Sequence, residues 1–497
     1  MRSFAAPPTF RVPASGSLTD DVLAQVAAQP GTVGFSRTDP DAPSAWEDVT
    51  YREFRDEVVE LAKGLIAAGI GPGDRVGLMS ATRYEWTLVD YAIWWAGAVS
   101  VPIYESSAVD QVCWILADSG AVACFVESAA HLDRVNEVRD QLPELTHLWS
   151  LDGGGLRSLR ALAGDIDDEQ VEARRAAVTP ESIATLIYTS GTTGRPKGCV
   201  LTHGNFMFEL GVVTQELDAL FDLDDASTLL FLPLAHIFAR IIEIGCVRAG
   251  VRLGHTADIK DLLASFEAFQ PSFILAVPRV LEKVFNSASQ RARADGRGTI
   301  FDAAARTSIE WSRARDNGGA GLRLRLKHSM FDRLVYARLR AALGGRTRYA
   351  VCGGAPLGER LTHFFRGIGV PVLEGYGLTE TTAALPVNLP HATRVGTVGR
   401  PLPGNVGPAR RRRRAAVSRR AGVPRLLERR GGDCRRAGRG RLVPCRRHRG
   451  DRRRRLRPDH RPPEGDPGDG RRQERRPRHA RGPHPGLPAG QPGPRRR

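Results

Sequence analysis

A short apolar strand, a glycine-bearing turn and a helix follow one another repeatedly through residues 1–405, and this order limits the fold more than any other feature of the chain. Arg75–Met79 reads as a strand, Tyr84–Ala96 as an apolar helix and Val99–Ile103 as the next strand. Ile183–Tyr188 runs into a loop of glycine, serine and threonine. Ser272–Ala276 runs into a helix from Pro278, and Tyr349–Cys352 into Gly353-Gly354. Alternation of this kind predicts an α/β fold, with mainly parallel sheets flanked by helices. Ligands in such folds sit beyond the carboxyl ends of the strands. Upstream, Thr50 and Glu53 predict a capping box for a helix to Ala68. Phe54, Val58, Leu61, Leu65 and Ile66 form its apolar side, and Gly69 and Gly71-Pro72-Gly73 stop it.

Composition matters at one place, where it breaks. The 497 residues carry a formal net charge of +17, which invites a nucleic-acid-binding reading. Residues 406–497, however, hold 32 of the 72 basic residues, every one an arginine, and only 8 of the 55 acidic ones. The tail is therefore +24 and residues 1–405 are −7. A tail without aromatic residues has nothing on which bases can stack, so a nucleic-acid-binding function is disfavoured. The tail also lacks Ile, Met, Thr, Asn and Lys. It cannot bury enough apolar surface to offset its conformational entropy and is expected to be disordered.

Met1–Val12 has no apolar core of a signal peptide. The longest uncharged apolar run, Tyr91–Tyr104, is shorter than the roughly 20 residues that span a bilayer. No amphipathic anchor stands out. Cys113, Cys124, Cys199, Cys246 and Cys352 are irregularly spaced, with no zinc or CxxC pattern, as expected of reduced thiols in a cytoplasm.

Four motifs carry the chemistry. The first is Tyr188 to Gly198, YTSGTTGRPKG. Its glycines Gly191 and Gly194 let the backbone approach a ligand, and successive N–H groups form an anion nest. Thr189, Ser190, Thr192 and Thr193 add hydroxyl donors and Lys197 a positive charge, a set suited to polyphosphate. It is no Walker A loop, because Pro196 precedes the lysine and Gly198 follows it. The second is Gly375 to Thr381, GYGLTET, in which Val370–Leu373 predicts a strand leading into the turn. Glu380 suits Mg²⁺, which takes one or two protein carboxylates beside phosphate oxygens. Tyr376 offers a face to an aromatic base. An acid in a turn is, on its own, usually only solvated. The third, Gly353-Gly354-Ala355-Pro356, is by itself more often a plain turn than a site. The fourth is Leu232 to Arg240, LPLAHIFAR. A histidine among apolar residues, as His236 is here, is more often packed in a core than functional.

Taken in this order and spacing, YTSGTTGRPKG, LPLAHIFAR, CGGAPL and GYGLTET resemble the core motifs of the adenylate-forming superfamily. Within it the chain is most similar to bacterial long-chain fatty-acyl-CoA synthetases, with support from WEDVTYREF, GIGPGDRVGLMSATRYEW, WWAGAVSVPIYESS and VGTVGRPLPG. The resemblance covers about residues 15–405. It implies a large N-terminal AMP-binding domain over residues 1–405 and a two-step ligase using ATP, Mg²⁺ and coenzyme A. A fatty carboxylate attacks the α-phosphate of ATP, and the coenzyme A thiolate then displaces AMP. By motif match, Thr189 to Lys197 (including Ser190, Gly191, Thr192, Thr193 and Gly194) would hold the β- and γ-phosphates. Gly353, Gly354, Ala355, Pro356, Gly375, Tyr376 and Gly377 would frame the adenine. Thr379 would touch the α-phosphate, Glu380 would hold Mg²⁺, and Lys197, Thr379 and Glu380 would serve catalysis. His236 and Phe238 would line the acyl side. The implied partners are small molecules, with loose attachment to the inner face of a membrane and no specific nucleic acid. Other members of the superfamily, which load a carrier protein or join aryl or medium-chain acids to coenzyme A, are the alternative.

Relatives continue into a smaller C-terminal domain with a ribose-binding Asp, a hinge and a catalytic Lys. Here the chain reads Val406-Gly407-Pro408-Ala409-Arg410 and then arginine-rich sequence. Codons for Arg457–Asp466, read one base later, can spell VRITGRRKEI. Gly470–Arg476 gives AGGKNVA and Val423–Arg429 gives FRGYWND in the same register. These strings resemble the family's continuation. The expectation is a frameshift near residues 405–407, an out-of-frame tail in place of the small domain, and thioester formation lost or very low in the chain as written.

Overall fold

The structure, a computed structural model, describes residues 3–39, 42–189, 195–222, 225–257, 260, 262–408, 416–419 and 443–444. The expected out-of-frame tail lies almost wholly outside the described residues. β1 (Ser3–Ala5) pairs antiparallel with β17 (Asn405–Pro408). β2 (Val33–Asp39) and β3 (Ala42–Thr50) form a hairpin; β10 (Ser227–Leu230) and β11 (Arg252–His255) extend it in the order β10-β11-β2-β3.

The six-stranded sheet, in the order β7-β6-β4-β5-β8-β9, holds β4 (Arg75–Met79), β5 (Val99–Ile103), β6 (Ala121–Val126), β7 (His147–Ser150) and β8 (Ile183–Thr189) in parallel. β9 (Lys197–Thr202) runs antiparallel to β8. A five-stranded sheet has β12 (Phe273–Ala276), β13 (Tyr349–Cys352) and β14 (Val372–Leu378) parallel, with β15 (Ala383–Val387) and β16 (Arg400–Pro401) antiparallel beside them.

The α/β reading holds, with mixed rather than mainly parallel sheets. The parallel rhythm breaks at two motif-bearing places, β8–β9 and β14–β15. After the Ser/Thr/Gly loop the chain returns as a strand before any helix forms. The strand expected over Val370–Leu373 begins two residues later and continues through Gly375–Leu378, because β15 folds back alongside and supplies its backbone partners. What reads as a glycine turn is therefore largely strand.

Local signals account for several elements. The helix Tyr51–Ala67 starts at the capping box, with Glu53 N–H donating to Thr50 Oγ1 at 3.2 Å and Thr50 N–H to Glu53 Oε2 at 2.8 Å. The helix Tyr84–Trp95 is buried at every residue except Glu85. It packs on the Tyr51–Ala67 helix, and Trp94 Nε1–H donates to the Ala184 carbonyl of β8 at 2.8 Å. Among the described residues no helix is long and apolar enough to cross a membrane, and the five cysteines there are free thiols.

Candidate active site

Thr189 and Lys197 stand opposite each other as the last and first residues of β8 and β9. The antiparallel pairing closes the stem of the hydroxyl- and glycine-rich loop, whose Ser190, Gly191, Thr192, Thr193 and Gly194 lie outside the described residues. Its returning arm is held by a residue that motif spacing did not reveal. Trp114 Nε1–H donates to the Pro196 carbonyl at 2.9 Å, and the Arg195 guanidinium sits 4.6 Å from the Trp114 ring centroid. Tyr188 O–H donates to Asp118 Oδ2 at 2.9 Å on the other arm. Lys197 is exposed at the mouth and Thr189 half-buried.

His236 is not the packed core histidine that its neighbours suggested. Leu234, Ala235 and Ile237 are buried, but His236 is exposed and caps the helix Ile237–Ala249, its Nδ1 accepting from Phe238 N–H at 3.1 Å. That cap turns Phe238 toward β13. A side-chain carbon at Gly353 would come within 3.0 Å of the Phe238 ring, so LPLAHIFAR and CGGAPL pack directly against each other. Gly353 is buried, whereas Gly354 (φ +81°), Ala355 and Pro356 are exposed. The turn is tied to β14 by Glu374, another residue without a sequence signal. Its Oε2 accepts from Leu357 N–H at 3.2 Å and its Oε1 from Thr362 O–H at 2.9 Å.

The strand β14 carries Gly375, Tyr376 and Gly377, all half-buried, with an irregular register between Gly375 and Gly377. Gly377 tolerates no side chain: a Cβ there would lie 1.6 Å from the Ala383 carbonyl oxygen. Thr379–Thr381 forms a tight 3₁₀ turn, after which Thr382 (φ +54°) and Ala383 (φ +76°) adopt the left-handed region that L side chains avoid. Thr379 is buried and Glu380 half-buried. Burial pushes up the pKa of the Cys199 thiol on β9, and the Glu380 carboxylate adds to the rise. The Thr379–Thr381 turn thus lies within electrostatic reach of the strand that leaves the phosphate-type loop. LPLAHIFAR thus meets CGGAPL through Phe238 and Gly353, and CGGAPL joins GYGLTET along the paired β13 and β14.

Arg240, the last residue of LPLAHIFAR, is a further finding. It is fully buried. Its Nη2 donates to both carboxylate oxygens of Asp90 (2.5 and 2.6 Å) and to Ser100 Oγ (2.7 Å), and its Nη1 to Thr185 Oγ1 (2.7 Å). Trp86 and Trp94 lie 5.3 and 5.2 Å from the guanidinium. This network joins the Ile237–Ala249 helix to β5, β8 and the Tyr84–Trp95 helix beneath the loop stem. A buried pair so bound holds these elements to one another.

Among the described residues no group of three His, Cys, Asp or Glu side chains could hold a metal on its own. A half-buried lone carboxylate such as Glu380 fits instead a cation that completes its shell from phosphate and water.

A family profile described as AMP-binding enzyme matches residues 23–408. Over 408 residues the chain is 44% identical to the long-chain-fatty-acid–CoA ligase FadD15 of Mycobacterium bovis and to that of Mycobacterium tuberculosis, covering 82% of this chain and 67% of each relative. The structure is similar to that of a Mycobacterium tuberculosis fatty acyl CoA synthetase, with TM-score 0.61 and 21% identity over 81% of this chain and 70% of that one, a likeness of fold.

Proposed function

Because this chain belongs to the AMP-binding enzyme family, we propose that it activates a long-chain fatty acid with ATP and transfers the acyl group to coenzyme A. The observation that carries the proposal is the antiparallel stem that sets Thr189 opposite Lys197 at the base of the hydroxyl- and glycine-rich loop. In the first step a carboxylate oxygen of the acid attacks the α-phosphorus, and the bond to pyrophosphate breaks. In the second the thiolate of coenzyme A attacks the acyl carbon, and AMP leaves. Neither step requires a covalent bond to the protein, so positioning and charge neutralisation supply the rate.

Lys197 and the loop from Thr189 would hold the outer phosphates, and Thr379 the α-phosphate. Glu380 would hold Mg²⁺, which neutralises phosphate charge. Gly353 to Pro356 and Gly375 to Gly377 would frame the adenine, with Gly377 bare so that backbone can pass close. His236 and Phe238 would face the acyl group. The test is acid-dependent exchange of labelled pyrophosphate into ATP over a series of chain lengths. Exchange that rises with long-chain acids and falls roughly a hundredfold in Lys197→Ala and Glu380→Gln supports the assignment. Exchange with aryl acids alone would sink it. Trp114→Ala is expected to raise the KM for ATP while lowering stability by only about 1 kcal/mol, since it releases the loop's returning arm and touches no substrate.

The proposal extends to residues 406–497. Their out-of-frame origin is supported by the codon register and by the family match stopping at residue 408, beside the composition break. Thioester formation by the chain as written should then fall far below acyl-adenylate formation; robust acyl-CoA production would refute this. Mass spectrometry of C-terminal peptides from the native source separates GRRKEI-like sequence from arginine-rich sequence. The five cysteines among the described residues, all free thiols, suit a cytoplasmic location. Long-chain acids partition into bilayers, and we place the enzyme loosely at the membrane surface.

A further inference from the structure

The helix Leu322–Phe331 turns an apolar stripe to water. Leu322 is 73% exposed, Leu326 65% and Met330 48%; Leu334, in the π-helical turn Asp332–Tyr336 that follows, is 54% exposed. These are four of the eight exposed large apolar side chains among the described residues. At 3.6 residues per turn Leu322, Leu326 and Met330 fall within a sector of about 80°. The opposite side of the helix is fastened to the protein. Phe331 is buried, the His328 ring stacks on Trp311 at 4.3 Å, and His328 Nε2 is 2.7 Å from the Gly367 carbonyl oxygen. The stripe therefore cannot turn inward.

The flanks of the stripe are basic. Arg323 and Lys327 fall on one side of it and Arg325 on the other, all exposed, and no acidic residue occurs between Asp316 and Asp332. Among the described residues none of these three cations has an ion-pair partner. Apolar side chains at the centre and long cationic ones at the rim suit a surface of opposite charge with an oily interior. We propose that this face docks on an anionic bilayer. Leu322, Leu326 and Met330 enter the boundary of the acyl chains, and the three cations meet lipid phosphates. The proposal rests on the membrane-surface placement above and names the surface responsible.

The experiment is co-sedimentation of the full 497-residue chain with vesicles of phosphatidylcholine containing about one third phosphatidylglycerol. It is run at low salt and at about 0.5 M potassium chloride, where surface charges are largely screened and any attraction from the net charge of residues 406–497 is weakened with them. The parent is expected to stay bound at high salt. Leu322→Ser/Leu326→Ser/Met330→Ser should lower partition roughly tenfold. Leu162→Ser, a change at a leucine 50% exposed elsewhere, should leave it unchanged. Arg323→Gln/Arg325→Gln/Lys327→Gln should weaken binding at low salt. Thermal midpoints and pyrophosphate exchange with dissolved acid should match the parent in all variants. Equal partition of parent and triple serine variant at both salts overturns the surface and leaves the membrane placement standing. A parent that binds no vesicles overturns both. Self-association of the parent that the serine variant abolishes, without vesicle binding, means that a second copy covers the stripe and overturns the proposal.

Discussion

The helices Tyr84–Trp95 and Leu322–Phe331 both carry large apolar side chains, yet one vanishes into the protein and the other shows its leucines to water. The first is surrounded, and its single internal carboxylate, Asp90, is neutralised by Arg240. The second is fastened along one side only, through Phe331 and His328. Apolar content alone thus decides little. What separates them is whether other elements supply a lid for every face, and whether each polar atom taken inside finds a partner.

The sharpest way to break this contrast is to remove one internal partner. Asp90→Ala leaves the Arg240 guanidinium buried and unpaired, with an expected loss of about 3–5 kcal/mol in unfolding free energy. Asp90→Leu/Arg240→Met should recover most of that loss, because an apolar pair needs no compensation. Chemical denaturation of the three variants checks both statements; a single variant as stable as the parent would show that the buried helix does not depend on the pair.

A smaller effect concerns protons. His255 Nε2 lies 2.9 Å from Thr87 Oγ1 on the buried helix, and burial lowers the pKa of His255 to about 4. A pKa lowered by folding means that the neutral ring stabilises the fold above the unfolded value of 6.5, and that this contribution is lost as the pH falls through 6.5 toward 4. Between pH 7 and 5 the parent should lose about 2 kcal/mol more than His255→Gln. Parallel pH profiles would mean that the ring is hydrated. The smallest effect belongs to the other helix: Leu326→Ser should change stability by less than about 0.5 kcal/mol, since that side chain is mostly exposed. A larger loss would reveal an intramolecular contact.

Much of this was legible in the residues. The strands at Arg75–Met79, Val99–Ile103 and Tyr349–Cys352, and the capping box at Thr50, agree residue for residue, because each is fixed by neighbours in sequence. Two of the motifs also meet, with Phe238 packed on Gly353. Strand Gly375–Leu378 was missed because glycines read as a turn unless the returning strand is known. The exposed state of His236 was missed because its apolar neighbours alternate around a helix start that places only their side chains inward. Arg240 stood in a quoted motif, and a charge inside an apolar helix was the available signal. Its partner Asp90 is 150 residues away, which no local pattern reports. The Leu322–Phe331 stripe escaped notice because apolar residues occupy both faces of that helix and mask its one-sided attachment.

The pairing of β1 with β17 has a practical side. Ser3 lies opposite Pro408, and the Gly404 N–H donates to the Ala6 carbonyl at 3.0 Å, so residues 3–6 lie beside residues 404–408. An affinity tag fused ahead of Ser3 emerges beside the end of β17. The same geometry favours a circular permutant: a few residues bridging 408 to 3, with new ends opened in an exposed turn such as Gly318-Gly319, would keep every strand pairing from β2 to β16.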